Sequence, residues 1–264
     1  MTYPELEKAR KLWQYQPDNE CLAGKTILIT GASAGIGKTA AKTFASFGAN
    51  IVLLARERTK LEAVYDWITT NTQAESAIVP CDLLTLTDDS AFALQDSIEE
   101  NFGQLDGLLH NASMLGPRTP VAHYGTSEWQ NLMQVNATAP FILTKILEPT
   151  LRKAKHASVV FTSSSVGRQG RAYWGAYAVS KFALEGLTQV LADEYDTAGQ
   201  IRFNSLNPGA TRTNMRAAAY PAEDPSTLAT AEQHMALYLY LMADDSVGVN
   251  GQQFDARNWQ MPEN

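Results

Sequence analysis

The stretch Thr26-Ile27-Leu28-Ile29-Thr30-Gly31-Ala32-Ser33-Ala34-Gly35-Ile36-Gly37 decides the fold. The continuous apolar run Thr26–Thr30 reads as a strand buried on both faces. It passes through a glycine-rich turn straight into a helical pattern, Ile36–Phe47. Glycines in the turn permit positive φ and let the backbone come close to a pyrophosphate, and the following helix offers unpaired N–H groups and the positive end of its dipole. An ordinary strand–helix turn is the alternative, and the position of the glycines between a first strand and a first helix argues against it.

Outward from that turn, short apolar runs alternate with helical patterns. Strands are expected at Ile51–Ala55, Ala77–Pro80, Leu105–Leu109, Ser158–Thr162, Ile201–Leu206 and Gln252–Asp255, and helices at Arg58–Asn71, Asp88–Asn101, Ser127–Arg152, Ala176–Tyr195 and Ala231–Met242. Strand–helix–strand units of this kind imply an α/β chain with a doubly wound, Rossmann-type parallel sheet of about seven strands and helices on both faces. Ligands then belong at the carboxyl ends of the strands, where the strand order reverses. No internal repeat or low-complexity linker is visible, so a polar leader (residues 1–23) followed by a single domain (residues 24–264) is expected. The leader's own role stays open: a helix packed on a neighbour, or a mobile segment.

The chain has 264 residues, 45% of them hydrophobic and 19% charged, with a formal net charge of −7. The acidic balance argues against a nucleic-acid or anionic-membrane partner. The two cysteines, Cys21 and Cys81, lack metal-ligand spacing and read as reduced thiols, and no metal is expected. The N-terminus shows no apolar signal core, and no apolar run reaches the ~18 residues of a membrane helix, so a cytoplasmic location is expected.

The glycine spacing, G-x-x-x-G-x-G over Gly31, Gly35 and Gly37, resembles that of the short-chain dehydrogenase/reductase family. A second motif agrees. Tyr177 and Lys181 are four apart at the start of a helix and share one face, and Ser164 lies thirteen residues before Tyr177 at the end of a strand. A solvated helix face is the alternative for Tyr-x-x-x-Lys alone. A free tyrosine has a pKa of about 10, so a nearby ammonium and a cationic nicotinamide are expected to favour its phenolate. The resemblance implies Tyr177 as acid/base, Ser164 as the group orienting a carbonyl, and Lys181 as the residue that holds the nicotinamide ribose and tunes Tyr177. Ser163 and Ser165 are neighbouring candidates, and spacing favours Ser164.

The resemblance extends over about residues 24 to 256. His110-Asn111-Ala112-Ser113 matches the family's Asn-Asn-Ala-Gly segment at Asn111 and Ala112, with Ser113 departing from glycine and His110 read as structural. Asn136 matches a helix asparagine that supports a water in the proton relay. Asp82, in Cys81-Asp82-Leu83, matches a carboxylate that accepts from adenine, with helix capping as the alternative. Asn207–Thr213 matches a loop in which Pro208, Gly209, Thr211 and Thr213 meet the carboxamide and pyrophosphate. The turn residues Gly31, Ser33, Ala34, Gly35, Ile36 and Gly37 complete the implied cofactor set, with Leu83, Asn111 and Ala112. Within the family, Phe161–Ala172 followed by Trp174–Tyr177 resembles a narrower group of bacterial oxidoreductases, the YciK type.

Cofactor choice turns on the end of the second strand. Ala55 stands where an NAD enzyme carries a carboxylate for the ribose 2′-hydroxyl, and Arg56 follows, suited to a 2′-phosphate; Ser33 adds a hydroxyl. NADP(H) is therefore expected over NAD(H), with a carbonyl or alcohol as the small-molecule substrate. The segment from Asn214 to Thr230 reads as a lid, and Arg168, Arg171, Tyr173 and Trp174 as candidates for the pocket mouth, the two arginines hinting at an anionic or polar substrate. Met114, Leu115 and Met215 read as packing residues, and His123, His156 and His234 as surface or packing residues. The family's habit implies a homotetramer or homodimer through Ser127–Arg152 and Ala176–Tyr195. The competing reading is a non-catalytic NADP(H)-binding sensor or assembly subunit on the same fold.

Overall fold

The structure is a computed structural model that describes residues 3–196 and 199–261, so the extreme ends of the expected leader and domain (residues 1–2 and 262–264) lie outside the described residues. Seven parallel strands run in the order β3-β2-β1-β4-β5-β6-β7. They are β1 (Thr26–Thr30), β2 (Asn50–Ala55), β3 (Ser76–Pro80), β4 (Gly107–His110), β5 (Ala157–Thr162), β6 (Ile201–Asn207) and β7 (Gln253–Asp255). The apolar run of β1 is buried throughout because successive side chains serve opposite faces. Ile27 and Ile29 join one core, and Leu28 joins the other.

The first core is closed by α1 (Pro4–Arg10), α2 (Gly35–Ser46), α3 (Arg58–Asn71) and α9 (Met235–Met242). The second is closed by α4 (Asp88–Phe102), α6 (Ala139–Leu151) and α7 (Gly175–Tyr195). This is the doubly wound α/β arrangement expected from the alternating runs. The strand order reverses between β1 and β4, and the loops leaving both of these strands flank one cleft.

One expectation needs correction. The helix expected over Ser127–Arg152 is three elements: α5 (Thr126–Met133), a π-helical turn Gln134–Thr138, and α6. Pro140 has no N–H to return to the carbonyl one turn earlier, at Asn136, so the regular ladder breaks there. The leader, whose role the sequence leaves open, packs its Leu6, Ala9, Trp13, Tyr15 and Leu22 into the first core. The Tyr15 hydroxyl donates to Asp245 at 2.7 Å, and Trp13 Nε1 donates to the Glu232 carbonyl at 3.1 Å. No helix among the described residues is long and apolar enough to cross a membrane.

Candidate active site

The turn after β1 is shaped by what its glycines lack. At Gly31 φ is +71°, and a Cβ there would lie 3.0 Å from Ala112 Cα. At Gly37 a Cβ would fall 2.3 Å from the Gly31 carbonyl oxygen, closer than any real contact allows. The turn can therefore fold flat against the loop after β4. Thr30 Oγ1 pins that loop by accepting from the backbone N–H groups of Asn111 and Ala112, both at 3.0 Å. Ala34 caps α2 without a side-chain acceptor, and the first turn holds no acidic residue, so the helix start faces the cleft with donors to spare.

The cleft is about 570 Å³ and runs along the carboxyl ends of the strands. Gly31, Ser33, Ala34, Gly35 and Ile36 form its floor on the β1 side. Arg56, Asp82 and Leu83 stand at the ends of β2 and β3, and Asn111 and Ala112 follow β4. Pro208, Gly209, Thr211 and Thr213 close it after β6. Gly37 does not line the cleft; its part is the close turn. Arg56 is exposed, and Lys60, which sequence reading missed, lines the same end while donating to Glu57 at 2.8 Å. Asp82 has one carboxylate oxygen engaged by the Leu84 N–H at 3.0 Å.

At the other end, Ser164, Tyr177 and Lys181 meet. Ser164 leaves β5 in extended backbone, and Tyr177 and Lys181 come one turn apart on α7. α7 sits tightly on this loop because position 167 is glycine: a Cβ on Gly167 would lie 2.6 Å from the Cβ of Lys181. Burial pushes the Tyr177 phenol up to about 12, and a hydrogen bond with Ser164 draws it partly back. Lys181 Nζ donates to the Thr162 carbonyl at 2.8 Å and lies 5.6 Å from the centre of the Tyr177 ring. Burial lowers its pKa to about 8, opposed by the Glu185 carboxylate. In the chain itself desolvation governs Tyr177 and favours the neutral phenol, and the expected depression by Lys181 does not show.

Asn136 does not line the cleft. It is fully buried on the π-helical turn, where its Oδ1 accepts from Met114 N–H at 2.7 Å and its Nδ2 donates to the Met114 carbonyl at 2.9 Å and to Ser180 at 3.1 Å. Ser180 in turn donates to the Tyr177 carbonyl at 2.8 Å. Asn136 therefore ties the loop after β4 to the helix that carries Tyr177. His110 stacks on Phe161 at 4.9 Å and pairs with Thr144 at 2.9 Å, and burial holds its pKa down at about 3, so it is a neutral packing residue.

The substrate end departs from expectation in two ways. Met114, Leu115 and Met215, read as packing residues, line the cleft with Trp174 and Ala219. Arg168 turns away from it, pairing with Glu185 at 2.9 Å and donating to the Phe254 carbonyl at 2.9 Å, because a buried carboxylate is the stronger attraction. Arg171 and Tyr173 are exposed and do not line the cleft. The expected lid begins with α8 (Asn214–Ala219), capped by Thr213, whose side chain accepts from Arg216 N–H at 3.2 Å. Among the described residues no group of three or more His, Cys, Asp or Glu is placed to hold a metal ion.

Residues 25–224 match the model of the short chain dehydrogenase family. The chain belongs to that family of oxidoreductases. It is 50% identical over 248 residues to the uncharacterized oxidoreductase YciK of Escherichia coli K12, which covers 94% of this chain and 98% of the relative. A short chain dehydrogenase from Pseudomonas syringae superposes with a TM-score of 0.90 at 49% identity, covering 92% of this chain and 99% of that one. One from Escherichia coli CFT073, solved in complex with NADPH, gives 0.87 at 50% identity, covering 91% of this chain and 100% of the other.

Proposed function

We propose that the protein is an NADP(H)-dependent oxidoreductase that interconverts a carbonyl and an alcohol, with Tyr177 as the acid/base. The observation that carries this reading is the meeting of Ser164, Tyr177 and Lys181 on one wall of a cleft at whose far end β2 closes on Ala55, with Arg56 next. The cleft suits a dinucleotide: the glycine turn leaves room where a Cβ would collide, and the hydroxyls of Ser113 and Ser163 are buried on its wall without a partner among the described residues. The turn from Gly31 to Gly37 and Thr213 would hold the pyrophosphate, Asp82 and Leu83 the adenine, Asn111, Ala112 and Lys181 the ribose, and Pro208, Gly209 and Thr211 the carboxamide. When bound, the nicotinamide supplies the hydride that reaches the carbonyl carbon.

The chain's own residues supply the rest. The Ser164 hydroxyl donates to the carbonyl oxygen and fixes its direction. Tyr177, neutral because it is buried, gives its proton to that oxygen as negative charge develops there. Lys181, anchored on the Thr162 carbonyl, faces the Tyr177 ring with its charge and stabilises the phenolate that remains, which regains a proton from water. Asn136 is a positioning residue in this scheme, holding α7 through Ser180.

Arg56 is the discriminating group for the cofactor. Arg56→Ala is expected to weaken NADPH binding about 10- to 100-fold, the scale of a charged hydrogen-bonding pair, and to leave NADH within about twofold. Fluorescence titration of both nucleotides checks this; equal affinity for NADH and NADPH in the unaltered protein would contradict it. For assembly, we infer a homodimer or homotetramer through α6 and α7. Phe141 on α6 and Val179, Phe182 and Val190 on α7 are exposed apolar side chains, and those on α7 recur at helical spacing on one face. A monomeric mass by light scattering would end that inference.

A further inference from the structure

Three guanidinium groups gather around Tyr220 beside the substrate end; Arg216 lines the cleft, Arg118 and Arg171 stand outside its wall, and they are not equivalent. Arg216 is spent: it holds Glu223 in a two-pronged pair at 2.6 and 2.5 Å and lies 3.9 Å over the Tyr220 ring. Arg118, on the loop after β4, has its guanidinium carbon 4.9 Å from the Trp174 ring centre and 4.7 Å from that of Tyr220, and it donates to the Ala219 carbonyl. Arg171 donates to the Tyr220 hydroxyl at 3.2 Å. Among the described residues neither Arg118 nor Arg171 has a carboxylate within ion-pair distance. In a chain of net charge −7, two guanidinium groups without a counter-ion at one rim stand out against the background.

The way Arg118 is held matters as much as its charge. Contact with aromatic rings uses the faces of a guanidinium, and the carbonyl of Ala219 takes only one of its five N–H donors. The side chain is thereby fixed in place with a donor edge unspent, which is the condition for binding an anion without paying again for order. Trp174 links this rim to the chemistry, since its ring centre is 5.6 Å from that of Tyr177 and it lines the cleft with Met114, Leu115, Met215 and Ala219. The walls between the two polar ends are therefore apolar.

We infer that the substrate is an amphipathic carbonyl compound: a carbonyl at Ser164 and Tyr177, an apolar or aromatic body against Trp174 and the methionines, and a carboxylate or phosphate at Arg118 and Arg171. The inference rests on the carbonyl-reductase reading of the same cleft and adds the substrate's class to it.

Matched aryl ketones test it: 4-acetylbenzoate, its neutral amide 4-acetylbenzamide, and 4-acetylphenyl phosphate to separate the two anions. Binding to the NADPH-loaded protein is measured by calorimetry, and turnover by kcat/KM. At least one anion is expected to bind about tenfold more tightly than the amide, with the advantage shrinking as salt rises. Arg118→Met is expected to remove about tenfold of that advantage while leaving the amide within about twofold. Arg171→Met, an exposed change that gives up the hydrogen bond to the Tyr220 hydroxyl, is expected to act in the same direction with a smaller loss. An absent preference, or one that survives both substitutions, overturns the inference. Arg118-dependent binding of polyglutamate alone overturns it too, in favour of an acidic protein partner. The two readings fail separately: Arg118-dependent anion binding without turnover sinks the reductase and keeps the rim, and turnover indifferent to Arg118 does the reverse.

Discussion

Tyr177→Phe is expected to cut kcat for carbonyl reduction about 10³-fold while the dissociation constant for NADPH stays within about twofold. The substitution keeps the ring, and so keeps the packing against Trp174 at 5.6 Å and the place of Lys181 beside it. It removes only the hydroxyl proposed to give the proton, together with the influence of Ser164 on it. A structural tyrosine gives a different result, a loss of stability or of cofactor affinity with little selective effect on kcat. The protonation states add a second signature. Tyr177 stays neutral up to about pH 12 in the chain itself, so the acid for reduction is present at neutral pH. Lys181 sheds its proton through about pH 8, so kcat/KM for reduction is expected to fall above that pH. A profile level to pH 10 would contradict the role given to its charge.

Gly37→Ala is the second large effect. A methyl group there would lie 2.3 Å from the Gly31 carbonyl oxygen of the turn and 2.6 Å from Asn111 Nδ2 of the loop after β4. Neither is the free end of a flexible side chain, since Asn111 Nδ2 itself donates to the Thr30 carbonyl at 3.3 Å. The turn must open, and the loop after β4 must move with it. Overpacking of this kind costs about 1–3 kcal/mol, or about 2–4 °C in Tm for each kcal/mol in a chain of this size. NADPH affinity is expected to fall at least about tenfold, the equivalent of one displaced hydrogen bond or two to the pyrophosphate. Gly170→Ala is the control, because a Cβ there meets nothing within 4 Å. Equal behaviour of the two variants in thermal melts and nucleotide titrations would show that the close turn does not matter.

The sheet was legible because its central strands β1, β2, β4 and β5 are short, mostly apolar runs, buried on both faces. The cleft followed, because glycine spacing and a strand-end serine are local patterns. What escaped the sequence was everything decided by packing across long separations. The π-helical turn at Asn136 keeps nearly the same apolar period on either side, so no periodicity marks it, and Pro140 was the only local sign. The leader's Leu6, Trp13 and Tyr15 are scattered among charged residues, and their burial comes from partners such as Glu232 and Asp245 far along the chain. Nearness in sequence also misled: Arg168 lies between Ser164 and Tyr177, yet it faces Glu185, while Arg118, distant from both, reaches Trp174. The protonation of Tyr177 depends on how deeply it is buried, which spacing to Lys181 does not reveal.

The most direct test of the central claim follows the hydride itself. The protein is given NADPH deuterated at the nicotinamide C4 and a panel of aryl ketones, and the product alcohols are analysed by mass spectrometry. The account predicts one deuterium per turnover, on the carbinol carbon, lost with Tyr177→Phe. Tight NADPH binding with no label transferred to any ketone would contradict it and leave a nucleotide-binding protein without this chemistry.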